Sequence, residues 1–403
     1  MPPKNIAGPV VRGDDLWGRN EDVAELWSQV QKGSVLLAGP RRYGKSSLMY
    51  AVKDRPRRGW QAISLHVEYV ESPQELLVEL TAKLVALGIL GTADDLKAQA
   101  GVFGRWLGRI VDAEAGATIP AIGEVKIRLR EGLDGEWRPL AEETLGRLGR
   151  LDQDLLIILD EFPVMVGHFL DRSEEDGLSF LRWFRTQRHQ DAGAHQVRWL
   201  LGGSVNIEPR LMKLGRSELF NDLQRAHVRP MGPVEAAAFV RAVLEGENAA
   251  FDGAVPDAIV ATCGASVHFF LQVVIEQCLA VARRSGGTLT VEHVQPAYEE
   301  HVLGPESRAR FDHYRSRLAE YYGDLEDAAR VVLGHMAGTD TGSATLTSLR
   351  DLFEPNELTD AQFADLLIQL EGDYYIEQDA NTARFKSAFL LDWWLRNVPW
   401  RGR

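Results

Sequence analysis

Eight consecutive residues constrain this chain more than any others: Gly39-Pro40-Arg41-Arg42-Tyr43-Gly44-Lys45-Ser46. They fit G-x-x-x-x-G-K-[ST] at every fixed position. The flanks agree. Ser34-Val35-Leu36-Leu37-Ala38 reads as a buried strand, and Ser47-Leu48-Met49-Tyr50-Ala51-Val52 continues as a helix. A glycine-rich turn between strand and helix makes a phosphate cradle, because the backbone N–H groups from Gly39 to Ser47 and the positive end of the helix dipole converge on one point. Gly39 and Gly44 allow backbone angles and approaches closed to residues with a side chain. Lys45 is expected to reach the β- and γ-phosphates, and Ser46 to give its hydroxyl to Mg2+. The sequence contains no convincing guanine-reading N-K-x-D string, so the expected ligand is ATP with magnesium.

The first half alternates short apolar strands with helical patterns. Ala62 to Val67, Leu155 to Leu159 and Val197 to Leu201 read as further strands. Pro73 to Ala86 has helical spacing at Leu76, Leu77, Leu80 and Leu84, with Ser72 as cap, Pro73 in the first turn and Glu75 completing a capping box. Strands apolar on both faces, with helices between them, indicate an α/β fold with a parallel sheet covered on two sides. Residues 101–137 interrupt this rhythm as an insertion. Within them, Glu124 to Arg130 alternates apolar and charged residues, which predicts an edge strand. The strand Leu155 to Leu159 ends in Asp160-Glu161. In that position Asp160 is expected to hold magnesium through water, and Glu161 to orient or deprotonate the attacking water.

Beyond Pro230 the pattern becomes helical. Val234 to Leu244, Pro256 to Cys263, His268 to Arg283 and Val291 to Val302 are helix candidates. Gly304-Pro305 reads as a linker. Helices around Leu325 to Ala337, Leu346 to Phe353 and Asp360 to Leu370 follow. A strand pair near Tyr374 to Gln378 and Arg384 to Lys386 comes next, then a last helix through Trp393 and Trp394. Three helices and a two-stranded wing predict a winged helix. The expected domains are a phosphate-loop core over 1–229, a helical lid over 230–304 and the winged helix over 305–403.

A net charge of −13 argues against a broad basic surface. Cys263 and Cys278 form no metal-ligand pattern and read as packed thiols of a reducing compartment. No apolar run approaches a membrane span, and the first residues lack the apolar core of a signal peptide, so a cytoplasmic location is expected.

Several strings resemble one family. Leu16-Trp17-Gly18-Arg19-Asn20-Glu21-Asp22 resembles the F-x-G-R-x-x-E segment upstream of the loop in AAA+ and STAND-type ATPases. Gly39 to Met49 is similar to the P-R-R-x-G-K-T-S-L loop of the archaeal-type ATPases in that group. Leu159-Asp160-Glu161-Phe162-Pro163 is similar to their L-D-E-F-P strand end. Gly203-Ser204, Asn221-Asp222-Leu223, Asp373 to Ile376 and Trp393-Trp394 also fit, so the resemblance covers nearly the whole chain. It implies that Trp17, Gly18 and Arg19 line the adenine pocket and that Ser204 senses the γ-phosphate. It also implies a charge-stabilising arginine, for which Arg225 fits best and Arg210 and Arg216 are rivals. The chain departs from the family's G-x-P-Y-x-x-Q stretch at His268, where proline is expected.

The expected function is an ATP-hydrolysing switch whose nucleotide state controls a protein contact, or self-association, through the helical and winged-helix parts. A DNA-binding, initiator-like ATPase is the alternative. The third winged-helix helix opposes it, since Asp360 to Glu371 has no lysine or arginine, and the wing offers only Arg384 and Lys386. A non-hydrolysing nucleotide scaffold is a further alternative, opposed by Glu161. Arg182, Arg185 and Arg188 form a basic stripe around Trp183 and Phe184; it suits an intersubunit contact, a nucleic-acid path or, more simply, a solvated face.

Overall fold

The computed structural model describes residues 2–91, 101–108, 122–131, 137–189, 195–203 and 207–398. They fall into two compact units. One holds Asp22–Ala38 and Leu48–His227; the other holds Met1–Glu21, Gly39–Ser47 and Val228–Arg403.

The first unit holds all but the opening residues of helices α1 (Asn20–Val30) and α2 (Lys45–Asp54), with α3 (Pro73–Ala86) and strands β1 (Val35–Ala38) and β2 (Trp60–His66). Helices α4 (Gly101–Gly108), α5 (Ile122–Glu131) and α6 (Trp137–Leu148) precede β3 (Asp154–Asp160). Then come α7 (Phe162–Arg172), α8 (Glu174–His189), β4 (Val197–Gly202), α9 (Glu208–Lys213) and β5 (Gln224–His227). The five strands form one sheet in the order β2-β3-β4-β1-β5, parallel throughout. Leu155 to Leu159 of β3 are each 0% exposed, so both faces of this strand are covered, as the apolar run requires. The register sets Asp160 beside Gly202, and Gly202 beside Leu37, so β3, β4 and β1 end at one edge of the sheet.

The start of α3 follows its sequence signals, with one difference. Ser72 Oγ accepts from Glu75 N–H at 3.3 Å, but the Glu75 carboxylate accepts from the N–H of Glu71 at 2.9 Å, one residue before the cap. The strand expected over Glu124 to Arg130 is instead helix α5. Val125 and Leu129, four apart, are both 0% exposed, whereas Ile127 is 59% exposed. The apolar residues at 125, 127 and 129 therefore serve a helix that buries two and leaves the third in water. Helix α5 docks on α3, and Lys126 Nζ pairs with Glu79 at 2.6 Å. The arginine stripe on α8 is solvated only in part: Arg182 is exposed and Arg185 half-buried, whereas Arg188 turns inward. Arg188 is 6% exposed, lies 4.8 Å from the Phe184 ring centre and makes two 2.8 Å bonds to Asp222.

The second unit contains α10 (Pro233–Gly246), β6 (Ala250–Phe251), α11 (Val255–Cys263), α12 (His268–Arg284) and β7 (Thr288–Leu289). The helix expected over Val291 to Val302 forms as a mixed run: a 3-10 turn, one α-helical step through Pro296, then π-helix over Ala297–Val302. Helices α13 (His313–Tyr321) and α14 (Glu326–Ala337) follow. Strand β8 (Ser343–Thr345), α15 (Leu346–Arg350), α16 (Asp360–Gly372), β9 (Ile376–Gln378), β10 (Thr382–Phe385) and α17 (Ala388–Asn397) complete the winged helix. Its sheet has three strands, β8-β10-β9, antiparallel; β8 is the strand the sequence did not announce. The helical region and the winged helix share one core. Phe270 of α12 stacks on Phe389 of α17 at 4.5 Å, and Phe311 lies 4.8 Å from Phe389. Cys263 and Cys278 are buried free thiols, each pushed up to about 12 chiefly by burial.

Candidate functional site

Chain continuity puts the loop between the end of β1 and the start of α2, as the sequence predicts. Gly44 has φ 88° and Arg42 φ 72°, so the turn passes twice through the left-handed region. At Gly44 this costs little; at Arg42 a side chain is held in a conformation disfavoured by about 1–2 kcal/mol. Lys45 opens the helix and is only 5% exposed. Its Nζ donates to Gly39 O at 2.6 Å and Pro40 O at 2.7 Å. Ser46 is half-buried in the first turn. Ser47 is buried, and its Oγ accepts from Val11 N–H at 3.0 Å.

The upstream segment packs on the same unit. Arg19 is 6% exposed; it donates to Arg229 O at 2.9 Å and reaches Tyr43 O at 3.5 Å. Gly18 has φ 69°, and a Cβ there would lie 2.4 Å from Glu235 Oε1. Trp17 sits 6.5 Å from the Phe239 ring. His268, in the place of the expected proline, ties this segment to α12. Its Nε2 lies 3.0 Å from Trp17 O, and its Nδ1 3.5 Å from an Arg19 guanidinium nitrogen. Nε2–H donating to the carbonyl while Nδ1 accepts from Arg19 requires a neutral ring. Burial first, then the Arg19 charge, push His268 down to about 4, against the Trp17 hydrogen bond. His268 is thus a brace between two segments.

The acidic pair lies in the sheet unit. Asp160 ends β3 and is 8% exposed. Glu161 has φ 61° and ψ 33°, a left-handed kink that turns the strand into α7, with its carbonyl accepting from Val164 N–H at 3.1 Å. Two glycines of β4's end stand against this pair. A Cβ on Gly202 would lie 2.4 Å from Met49 Sδ, and one on Gly203 2.4 Å from Pro163 Cδ. Sequence reasoning missed Gly202 and also His66. His66 is paired in register with Asp160; its Nδ1 lies 3.8 Å from Asp160 Oδ2 and its Nε2 3.1 Å from Glu68 Oε2. Only its position at a strand end could have signalled it.

Ser204 lies outside the described residues. Arg225, on β5, donates to Phe220 O at 3.1 Å and Leu223 O at 2.9 Å and pairs with Glu208. Arg210 pairs with Asp171 at 2.7 Å, and Arg216 bonds Gly215 O at 3.2 Å. All three have partners in their own unit.

Among the described residues no group of three or more His, Cys, Asp or Glu could hold a metal ion. The expected magnesium set is of another kind, one hydroxyl and one carboxylate, with water and phosphate oxygens completing the shell. Such an all-oxygen set fits Mg2+. Ser46 lies in one unit and Asp160 in the other, and each by itself offers an oxygen of the kind Mg2+ takes.

No protein-family profile and no curated protein matches the chain. Solved structures do. A Walker-type ATPase of Pyrococcus abyssi superposes with TM-score 0.65 at 16% identity, covering 96% of this chain and 99% of that one. The ORC2 protein of Aeropyrum pernix, in its ADPNP–ADP complexes, superposes with TM-score 0.54 at 13% identity, covering 94% and 92%. This is the AAA+-like P-loop fold with a terminal winged helix. At these identities the likeness is one of AAA+-like architecture, shared along nearly the full length of both chains.

Proposed function

We propose that the chain is a magnesium-dependent ATPase whose nucleotide state governs a contact with a protein partner. The observation that carries this reading is the intact loop: Gly44 in the left-handed region, Lys45 opening the helix and buried, Ser46 and Ser47 in its first turn. The Asp160-Glu161 pair at the end of a buried parallel strand supports it. So do the similar architectures, one called a Walker-type ATPase and one holding ADPNP and ADP.

In this reading the loop amides and Lys45 bind the phosphates. Trp17, Gly18 and Arg19 border the adenine, with Arg19 fixed by Arg229 and His268. Ser46 and Asp160 provide metal oxygens. Glu161 takes or orients the proton of the attacking water. Ser204 is assigned the γ-phosphate sensor and Arg225 the charge-stabilising role; Arg225 would have to release Glu208 to perform it.

A protein contact is favoured over DNA by the wing. Arg384 and Lys386 both pair with Glu377, Lys386 at 2.8 Å. Asp379 caps the turn between β9 and β10, so two carboxylates balance two cations. The exposed face of α16 carries Asp365 and Glu371. Neither surface suits phosphate neutralisation.

The test compares phosphate release by the wild type with that by Glu161→Gln, alongside calorimetry with Mg-ATP. Slow release by the wild type, release abolished in the variant and binding retained by both are expected. Equal release from both proteins would remove Glu161 from the mechanism.

A further inference from the structure

Arg41 and Arg42 are two of the four loop residues, Pro40 to Tyr43, whose type the phosphate-cradle pattern leaves open, and Arg42 is held at φ 72° against its own preference. Its side chain leaves the cradle. One terminal nitrogen donates to Gly8 O at 3.3 Å, and the guanidinium lies 4.8 Å from the Phe269 ring centre. Phe269 in turn packs 5.8 Å from Phe311, two residues before His313 at the start of α13.

Two polar atoms in this region are shielded from water with no hydrogen-bond partner: Arg42 Nε and His313 Nε2. His313 bonds the Arg310 carbonyl through its ring, so its other nitrogen is the one left over. The charges bearing on His313 are Arg41, Arg317 and Arg42. Those bearing on Arg42 are Arg41, Arg310 and the Tyr314 phenol. Arg310 is already matched by Glu276, at 2.7 Å and 2.9 Å. Burial and the three arginines push His313 down to about 3. Unmatched buried donors and acceptors are rare and costly, and converging guanidinium groups repel. In a chain of net charge −13, such a gathering marks a place for an anion.

We propose that Arg41, Arg42 and His313 form a binding site for a phosphate-class anion, with Arg317 adding positive charge behind it. The anion's oxygens accept from Arg42 Nε–H and from the guanidinium of Arg41, an exposed residue. His313 Nε2 completes the shell, either by accepting from a protonated phosphate hydroxyl or by taking up a proton and donating it. Filling the site ties the loop to α13. The chemistry fits a free phosphate and the terminal phosphate of a bound nucleotide alike. Only the second source rests on the ATPase reading.

The test is imidazole nitrogen NMR of the full chain, with orthophosphate, ADP and a non-hydrolysable ATP analogue added separately and binding followed by calorimetry. A shift of the His313 Nε2 signal with orthophosphate, with affinity falling about tenfold or more in Arg41→Gln, supports the site with a free anion as source. A shift with the ATP analogue alone supports it with the nucleotide as source. If the analogue binds and no addition moves His313, the site is overturned while the ATPase reading stands. If the analogue does not bind, that reading falls, and a silent His313 toward orthophosphate then overturns the site as well.

Discussion

Lys45 must break two internal hydrogen bonds before it can grip a phosphate, since its ammonium is bonded to the carbonyls of Gly39 and Pro40. Exchanging two neutral acceptors for phosphate oxygens gains because the ammonium then faces full negative charge instead of carbonyl dipoles. Lys45→Ala should therefore weaken Mg-ATP binding by about 100-fold, read by calorimetry. Glu161→Gln should lower kcat by about 10²–10⁴-fold at nearly unchanged KM. His268 gives a pH prediction. Its folded value, about 4, lies below its ordinary 6.5, so between these limits the unfolded chain binds more protons. The stabilisation is complete above pH about 6.5 and is lost as pH falls toward 4, up to about 3 kcal/mol. Urea midpoints at pH 7 and pH 4.5 should differ less in His268→Gln than in the wild type.

At the scale of elements, the sequence spoke clearly wherever one residue type has one use. The loop's glycines and lysine, the Ser72-Pro73 helix start and the Leu155 to Leu159 run all form what their chemistry requires. Elements carried by context were silent. Strand β5 reads Gln-Arg-Ala-His with only Ala226 buried, and it exists because β1 offers it a partner. Helix α5 hid behind an alternation that burial resolves at Val125 and Leu129. Of the candidate residues, Lys45, Ser46 and Asp160-Glu161 were marked by motif. His66, Gly202 and His313 were not, because each acquires its neighbours from residues distant in sequence. The β4–α7 approach yields a test. Gly203→Ala would set a Cβ 2.4 Å from Pro163 Cδ and should cost about 1–3 kcal/mol of stability. Differential scanning calorimetry reads that loss. Phosphate release should fall too, since Glu161 begins the same turn.

For the molecule as a whole, the proposed preference for a protein partner is tested at the winged helix. Titration of labelled duplex at low salt should show no saturable binding, with or without ATP; a saturable, ATP-dependent isotherm would favour the initiator-like alternative. The balance at the wing is narrow. Glu377 pairs with both cations, and those contacts hold its carboxyl below the usual carboxylate range. Glu377→Gln would leave Arg384 and Lys386 exposed on one ribbon with only Asp379 opposing them. A glutamate codon becomes a glutamine codon by a single base change, so the charge balance of this ribbon stands one nucleotide from being lost.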